Sequence, residues 1–224
     1  MPLNISKLGK VLKTLNRLQS IEFNSSLPVK IEVLKEINPI TYQIKLGNRL
    51  TETKSYVPLK PGEKYLAQIK ELKHSIQITN LKPYPKLLET LSKIPLEKGF
   101  NEFKKDEVIH HMANASTKNE FLFFANILLA MEKNIYHFAI NEEKKALMQF
   151  KYSKNKVSFY AVFMHLGELE GEIGESSATI YSPYKNVLSL LKHYESEIDL
   201  KINTVLKEPK ILYAFSDKLL DLKV

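Results

Sequence analysis

The residues of this 224-residue chain with the most scope for chemistry are its six histidines and a glutamate at every second position, Glu168, Glu170 and Glu172. His110 and His111 are the one adjacent histidine pair. A helical zinc site needs two histidines a full turn apart with a glutamate between them, whereas neighbours on a helix point about 100° apart. The pair therefore cannot converge on one ion. His74, His137, His165 and His193 stand alone and are expected to be structural. Glu142-Glu143 and Asp217/Asp221 are the other acidic groupings, and the alternating set forms one face of a strand with no second group or cofactor motif beside it. Cysteine is absent, which removes disulfides, thiolate metal sites and cysteine nucleophiles. With 7 glycines, and no Gly-Lys-Ser/Thr loop, Gly-x-Ser-x-Gly elbow or Rossmann fingerprint, the sequence offers no phosphate cradle or nucleophile elbow. The expectation is a protein that is not an enzyme and uses no catalytic residue, cofactor or metal.

Charge is unevenly placed along the chain. Met1 to Lys82 holds 14 Lys and Arg against 6 Glu, and the rest of the chain is balanced at 19 against 19, so the first third carries the whole net charge of +8. A basic region of this kind suits an acidic protein surface, nucleic acid or anionic lipid, and lysines equally keep a small β domain soluble and guard its edges. Single-strand recognition would need aromatic rings standing outward beside the lysines, for which Tyr42, Tyr56 and Tyr65 are the candidates. No apolar run reaches the roughly 20 residues that span a bilayer.

The elements that must position these residues follow from periodicity. Asn4 to Leu18 spaces Ile5, Leu8, Val11, Leu12, Leu15 and Leu18 as a basic amphipathic helix. Val29–Leu34, Thr41–Leu46, Lys54–Val57, Tyr65–Ile69 and Ser75–Ile78 alternate as five short strands, broken at Pro39, Gly47-Asn48, Pro61-Gly62 and Lys73-His74. Five short antiparallel strands in so few residues predict a small barrel similar to an OB-fold. Leu81-Lys82-Pro83-Tyr84-Pro85 reads as a linker. Helices are expected over Lys86–Lys93, Lys104–Asn114 and Thr117–Glu132, the last nearly all apolar and opened by a capping box of Ser116 or Thr117 with Glu120. Tyr136–Ile140, Lys145–Tyr152 and Val157–Met164 form a meander, and Lys210–Phe215 is a further strand candidate near the end.

Within Val157–Leu191, VSFYAVFMHLGELEGEIGESSATIYSPYKNVLSLL, a strand apolar on both faces ends at Leu166-Gly167. Leu169–Ile173 and Ala178–Tyr181 follow as strands, and Ser182-Pro183 reads as the start of a long helix carrying Val187, Leu190, Leu191 and Tyr194. This order, with a Leu-Gly strand end, a Leu-Leu helix and a final strand behind it, resembles the C-terminal domain of flagellar hook-length control proteins over roughly residues 135–211. The strand, Gly-Asn turn, strand and Leu59-Lys60-Pro61-Gly62-Glu63 run resembles the barrel that precedes that domain in longer members.

The fold class expected is therefore α+β: an N-terminal helix with a small OB-like antiparallel barrel (1–82), a helical connector (83–134), and a C-terminal domain of antiparallel strands with one long helix (135–224). The resemblance implies a non-enzymatic role in flagellar type III export, with the cytoplasmic domain of the export-gate switch protein as partner. It implies a cytoplasmic location, or export through the flagellar apparatus. The family usually opens with a Pro/Gln/Ser-rich ruler segment, which this sequence lacks, so partner recognition is implied and length measurement is not. The partner-binding residues expected near the motif are Leu166, Gly167, Glu168, Glu170 and Glu172, with Lys185, Asn186 and Lys192 on the helix. Gly167 is expected to need a positive φ, with Leu166 anchoring the strand end in the core. The alternative is a basic OB-like nucleic-acid-binding protein.

Overall fold

The computed structural model describes residues 27–72, 75–198 and 200–218, so the expected helix over Asn4–Leu18 lies outside it. Strands β1 (Val29–Asn38), β2 (Thr41–Leu46), β3 (Arg49–Lys54), β4 (Lys64–Leu72) and β5 (Ser75–Pro83) close a barrel in the order β1-β2-β3-β5-β4. Period-two alternation puts Val29, Ile31, Val33, Tyr42, Ile44, Tyr65, Ala67 and Ile69 inside. All pairings are antiparallel except β3 with β5, which corrects the expectation of a wholly antiparallel barrel. The third strand also starts earlier than expected. Gly47, at φ +57, and Asn48 form a two-residue hairpin that pairs Leu46 with Arg49 at once, leaving Ser55–Val57 outside the strand.

The second layer is a seven-stranded sheet in the order β12-β11-β10-β9-β8-β7-β6. Its strands are β6 (Gly99–Glu102), β7 (Ile135–Asn141), β8 (Ala146–Tyr152), β9 (Val157–Phe163), β10 (Gly167–Ile173), β11 (Ser177–Ser182) and β12 (Lys201–Leu206). Neighbours are antiparallel as far as β11, and β12 returns parallel to it after a helical crossover. Helices α1 (Lys86–Leu91), α2 (Lys105–Ala113) and α3 (Lys118–Glu132) precede β7; α4 (Lys185–His193) and α5 (Glu195–Ile198) fill the crossover. The expected long helix is thus interrupted at Tyr194, and α3 is longer. Ser182 ends β11 and its hydroxyl accepts from the Tyr184 N–H, so the helix begins two residues later than a Ser182 cap would place it. The capping of α3 is as expected: the Glu120 N–H donates to Thr117 Oγ1 at 3.1 Å and the Ser116 N–H to Glu120 Oε2 at 2.9 Å. Lys210–Phe215 is irregular, with a bend at Leu212 and Tyr213, and is not a strand.

The apolar side chains form two clusters, one inside the barrel and a larger one around the sheet. The segment 83–134 belongs to the second: β6 pairs with β7, and Leu87, Leu88, Leu91, Val108, Phe123 and Phe124 pack into the sheet's core. Nor is 81–85 an open linker. Pro83 sits opposite Tyr65 at the end of β5, where no donor is demanded of it, and Tyr84 is buried with its N–H on Lys64 O at 2.9 Å. Leu66 points outward from the barrel wall into the larger core, so the two layers share a packed junction.

Candidate partner-binding surface

The Leu166-Gly167 turn lies at that junction. Leu166, in the turn between β9 and β10, is 0% exposed, and Gly167 at the start of β10 sits at φ +72. A Cβ at Gly167 would stand 2.7 Å from Tyr184 Cε2 and 3.6 Å from Leu66 Cδ1 of the barrel. Both residues position the fold and neither can reach a partner, because the chain's own barrel and Tyr184 occupy the space. The Tyr184 hydroxyl is buried and finds no hydrogen-bond partner among the described residues; burial, with the charges of Glu168 and Glu208, holds it strongly protonated.

The three glutamates do share one face of β10, since Gly167, Leu169, Gly171 and Ile173 take the other. Each is committed within the chain. Glu168 is half-buried and accepts from the Tyr160 hydroxyl, whose pKa is driven far up by burial and then by that carboxylate. Glu170 accepts the Lys210 N–H at 2.7 Å. Glu172 pairs with Lys156 at 2.6 Å on the open surface. The expectation of an exposed acidic face therefore holds only for Glu172.

Residues 207–218 explain why. Following β12, they cross this face as an irregular strap. Lys207 holds its ammonium 4.8 Å above the Tyr181 ring, and Lys210 meets Glu170. Tyr213 is gripped at both main-chain groups by the Gln149 carboxamide, with N–H to Oε1 at 3.0 Å and Nε2 to O at 2.8 Å. Ser216 is gripped the same way by Asn126, at 2.9 and 3.1 Å. With its oxygen facing Tyr213 N–H, Gln149 turns its second amide hydrogen to His137 Nε2 at 3.1 Å, which assigns that ring proton to Nδ1. His137 is fully buried, Nδ1 has no partner among the described residues, and burial lowers its pKa to about 3.

The helix candidates lie on the opposite side. Buried Val187, Leu188 and Leu191 of α4 cover the face of β11 and β12 that carries Ile180 and Ile202, whereas Glu170 lines up with Tyr181. Lys185, Asn186 and Lys192 are exposed on the outside of α4, Lys192 also reaching Ile202 O at 3.3 Å. The sheet thus divides the expected residues into two groups that no single flat contact can join.

At the junction, a cleft of about 900 Å³ runs from the β2–β3 hairpin to Met164 and His165, with Lys30, Lys45 and Arg49 among its walls. Burial and then Lys144 lower the His165 pKa there. Of the three tyrosines considered for stacking, Tyr42 and Tyr65 are in the barrel core and Tyr56 alone stands out, 87% exposed. The His110 carbonyl accepts from the Asn114 side chain at 2.8 Å, and His111 stacks on Phe124 with centroids 4.7 Å apart. Among the described residues no three His, Asp or Glu side chains gather as metal ligands would, and no helix is long and apolar enough to cross a membrane.

Of the buried polar side chains beneath residues 207–218, Asn126 and Gln149 were not singled out in the sequence, and His137 was read there only as an isolated structural histidine. Each had a signal: one polar side chain at a core position of an otherwise apolar stretch, FFANIL, IYHFAI and ALMQF. A comparison of the chain with models of known protein families, with curated proteins and with solved structures finds no match to any of them.

Proposed function

We propose that this chain is a non-enzymatic protein-binding module of flagellar type III export, acting, as the resemblance to hook-length control proteins implies, on the cytoplasmic domain of the export-gate switch protein. One observation carries the reading: β9 ends at Phe163, a three-residue turn buries Leu166, Gly167 opens β10 at φ +72, and β11, α4 and β12 follow in the order on which the resemblance rests. With Leu166 and Gly167 enclosed, the contact is assigned to the outer face of α4 at Lys185, Asn186 and Lys192, with Glu172 as a separate contact on the other face.

The test is calorimetric titration of the full chain with the purified export-gate domain. Binding is expected, and Lys185→Glu with Lys192→Glu should abolish it while leaving the melting temperature within about 2 °C. No binding at concentrations up to about 100 μM contradicts the assignment of the partner.

The strand order β1-β2-β3-β5-β4, with β3 closing in parallel on β5, supports an OB-like reading of the barrel and keeps the nucleic-acid alternative in view. The inward rings of Tyr42 and Tyr65 argue against a stacking platform. On this second reading, binding to single strands depends on Tyr56 and survives high salt. On the first, any such binding is electrostatic and falls steeply as salt rises.

A further inference from the structure

We propose that the cleft between the β2–β3 hairpin and the β9–β10 turn binds an extended acidic segment of another protein, in which carboxylates alternate with aliphatic side chains. The cleft lies apart from α4, so this inference does not rest on the contact assigned there. Its volume of about 900 Å³ is of the size usual for ligand-binding clefts. Its charge is one-sided. Lys30, Lys45 and Arg49 line it against a single acid, Glu32, which already stands opposite Lys45 on β2 and Lys64 on β4. Lys60, Lys64 and Lys82 of the same barrel each pair with a glutamate, whereas Lys45 and Arg49 are exposed and make no ion pair or side-chain hydrogen bond among the described residues. An anionic partner supplies what they lack.

Between these cations the wall is aliphatic, with Leu46, Ile69 and Met164 beside Leu50, which is 63% exposed. A lone carboxylate or phosphate gains nothing from a leucine standing in water, but a segment with an apolar side chain beside each acidic one uses both kinds of wall. The main chain specifies the rest. Among the described residues β5 pairs with β3 at Thr53 and Lys54 alone, so Arg49–Thr51 has β2 as its one neighbouring strand. Leu46 and Arg49 close the two-residue hairpin, and the antiparallel alternation then turns the N–H and C=O of Leu50 away from β2. An extended segment can take both groups by adding to this edge, its side chains alternating between Leu50 and the cations. No aromatic ring is among the residues that line the cleft, so bases would find nothing to stack on, and this separates the partner from single-stranded nucleic acid.

The test is fluorescence anisotropy of the full chain with a fluorescein-labelled peptide of about ten residues, glutamate at every second position and leucine and serine in turn between, against the same peptide with glutamine for glutamate. The acidic peptide should bind below about 100 μM and at least about tenfold tighter than its glutamine counterpart. Lys45→Glu with Arg49→Glu should weaken it by about tenfold or more. Lys98→Glu with Lys154→Glu, the same change of net charge at exposed positions outside the cleft, should weaken it by less than about threefold. Amide shifts in the NMR spectrum of the isotope-labelled chain should change on binding at Leu46 to Thr51 and at Met164 and His165. The two peptides and the shift map use the wild-type chain, so they decide the matter even where a charge reversal unfolds it. The proposal is overturned if the acidic peptide does not bind at about 100 μM, if the glutamine peptide binds as well, if both double variants weaken binding equally, or if the shifts change elsewhere. Tighter binding of an oligothymidylate of the same length would overturn the protein partner in favour of nucleic acid.

Discussion

On one face of the seven-stranded sheet, Val187, Leu188 and Leu191 of α4 close over Ile180 and Ile202; on the other, an irregular segment lies across β10 and β8, held by Glu170, Gln149 and Asn126. The first cover is apolar and continuous with the core, so lifting it exposes surface that water cannot satisfy. The second is fastened largely by directional bonds from polar side chains, with Leu212 and Phe215 partly buried against the core. One sheet thus carries one cover held by apolar packing and another held largely by hydrogen bonds, and the difference lies in whether the residues beneath are isoleucines or carboxamides.

The comparison should be sharpest in truncations on the apolar side. Leu191→Ala and Leu166→Ala remove side chains with 0% exposure, and each should cost about 2–5 kcal/mol in urea denaturation by leaving a cavity. A cost near 1 kcal/mol at either would mean that the apolar cover is no firmer than the strap.

Acid should loosen the strap side selectively. Folded His137 stays neutral down to about pH 3, whereas the unfolded chain takes up a proton below its ordinary value of 6.5, so stability is full above pH 6.5 and declines as the pH drops toward 3. The slope from this one group approaches about 1.4 kcal/mol per pH unit within that window. His137→Gln has no proton to accept and should flatten the profile relative to wild type. Parallel profiles for the two proteins would contradict the assignment.

Removing a clamp should matter less than removing a core leucine. Gln149→Ala is expected to cost about 1–3 kcal/mol, with the loss of amide protection confined to the strap around Tyr213. Smallest of all should be Glu172→Ala, whose pair with Lys156 is about half exposed on both sides and whose loss should stay within about 0.5 kcal/mol.

Much of this arrangement was legible in residue spacing. The alternation in Thr41–Leu46 gives β2 to the residue, Gly47-Asn48 marks a turn, and Thr117 with Glu120 marks the start of α3. The buried Leu166 and the positive φ of Gly167 are as expected, although β9 ends at Phe163 and Gly167 opens β10. Where spacing fell short, the missing term was tertiary. Pro83-Tyr84-Pro85 reads as a linker locally, but Lys64 O and the larger core capture Tyr84. The glutamates of β10 read as a solvated face because alternation says nothing of what will cross it. Lys210–Phe215 reads as a strand because its side chains suit one, yet its main chain is claimed by the side chains of Glu170 and Gln149, residues far away in sequence. The partner-binding group was split for the same reason: order along the chain does not tell which face of the sheet α4 will cover.

Residue-resolved hydrogen exchange on the full chain under native conditions tests the contrast between the two covers most directly. The amides of Tyr213 and Ser216 should exchange through a local opening, at least about tenfold faster than those of Leu188 to Leu191 in α4 and of Tyr160 in β9. Exchange of the strap amides at the same rate as the helix and the sheet, with the same denaturant dependence, would mean that both faces open only by global unfolding and would contradict the account.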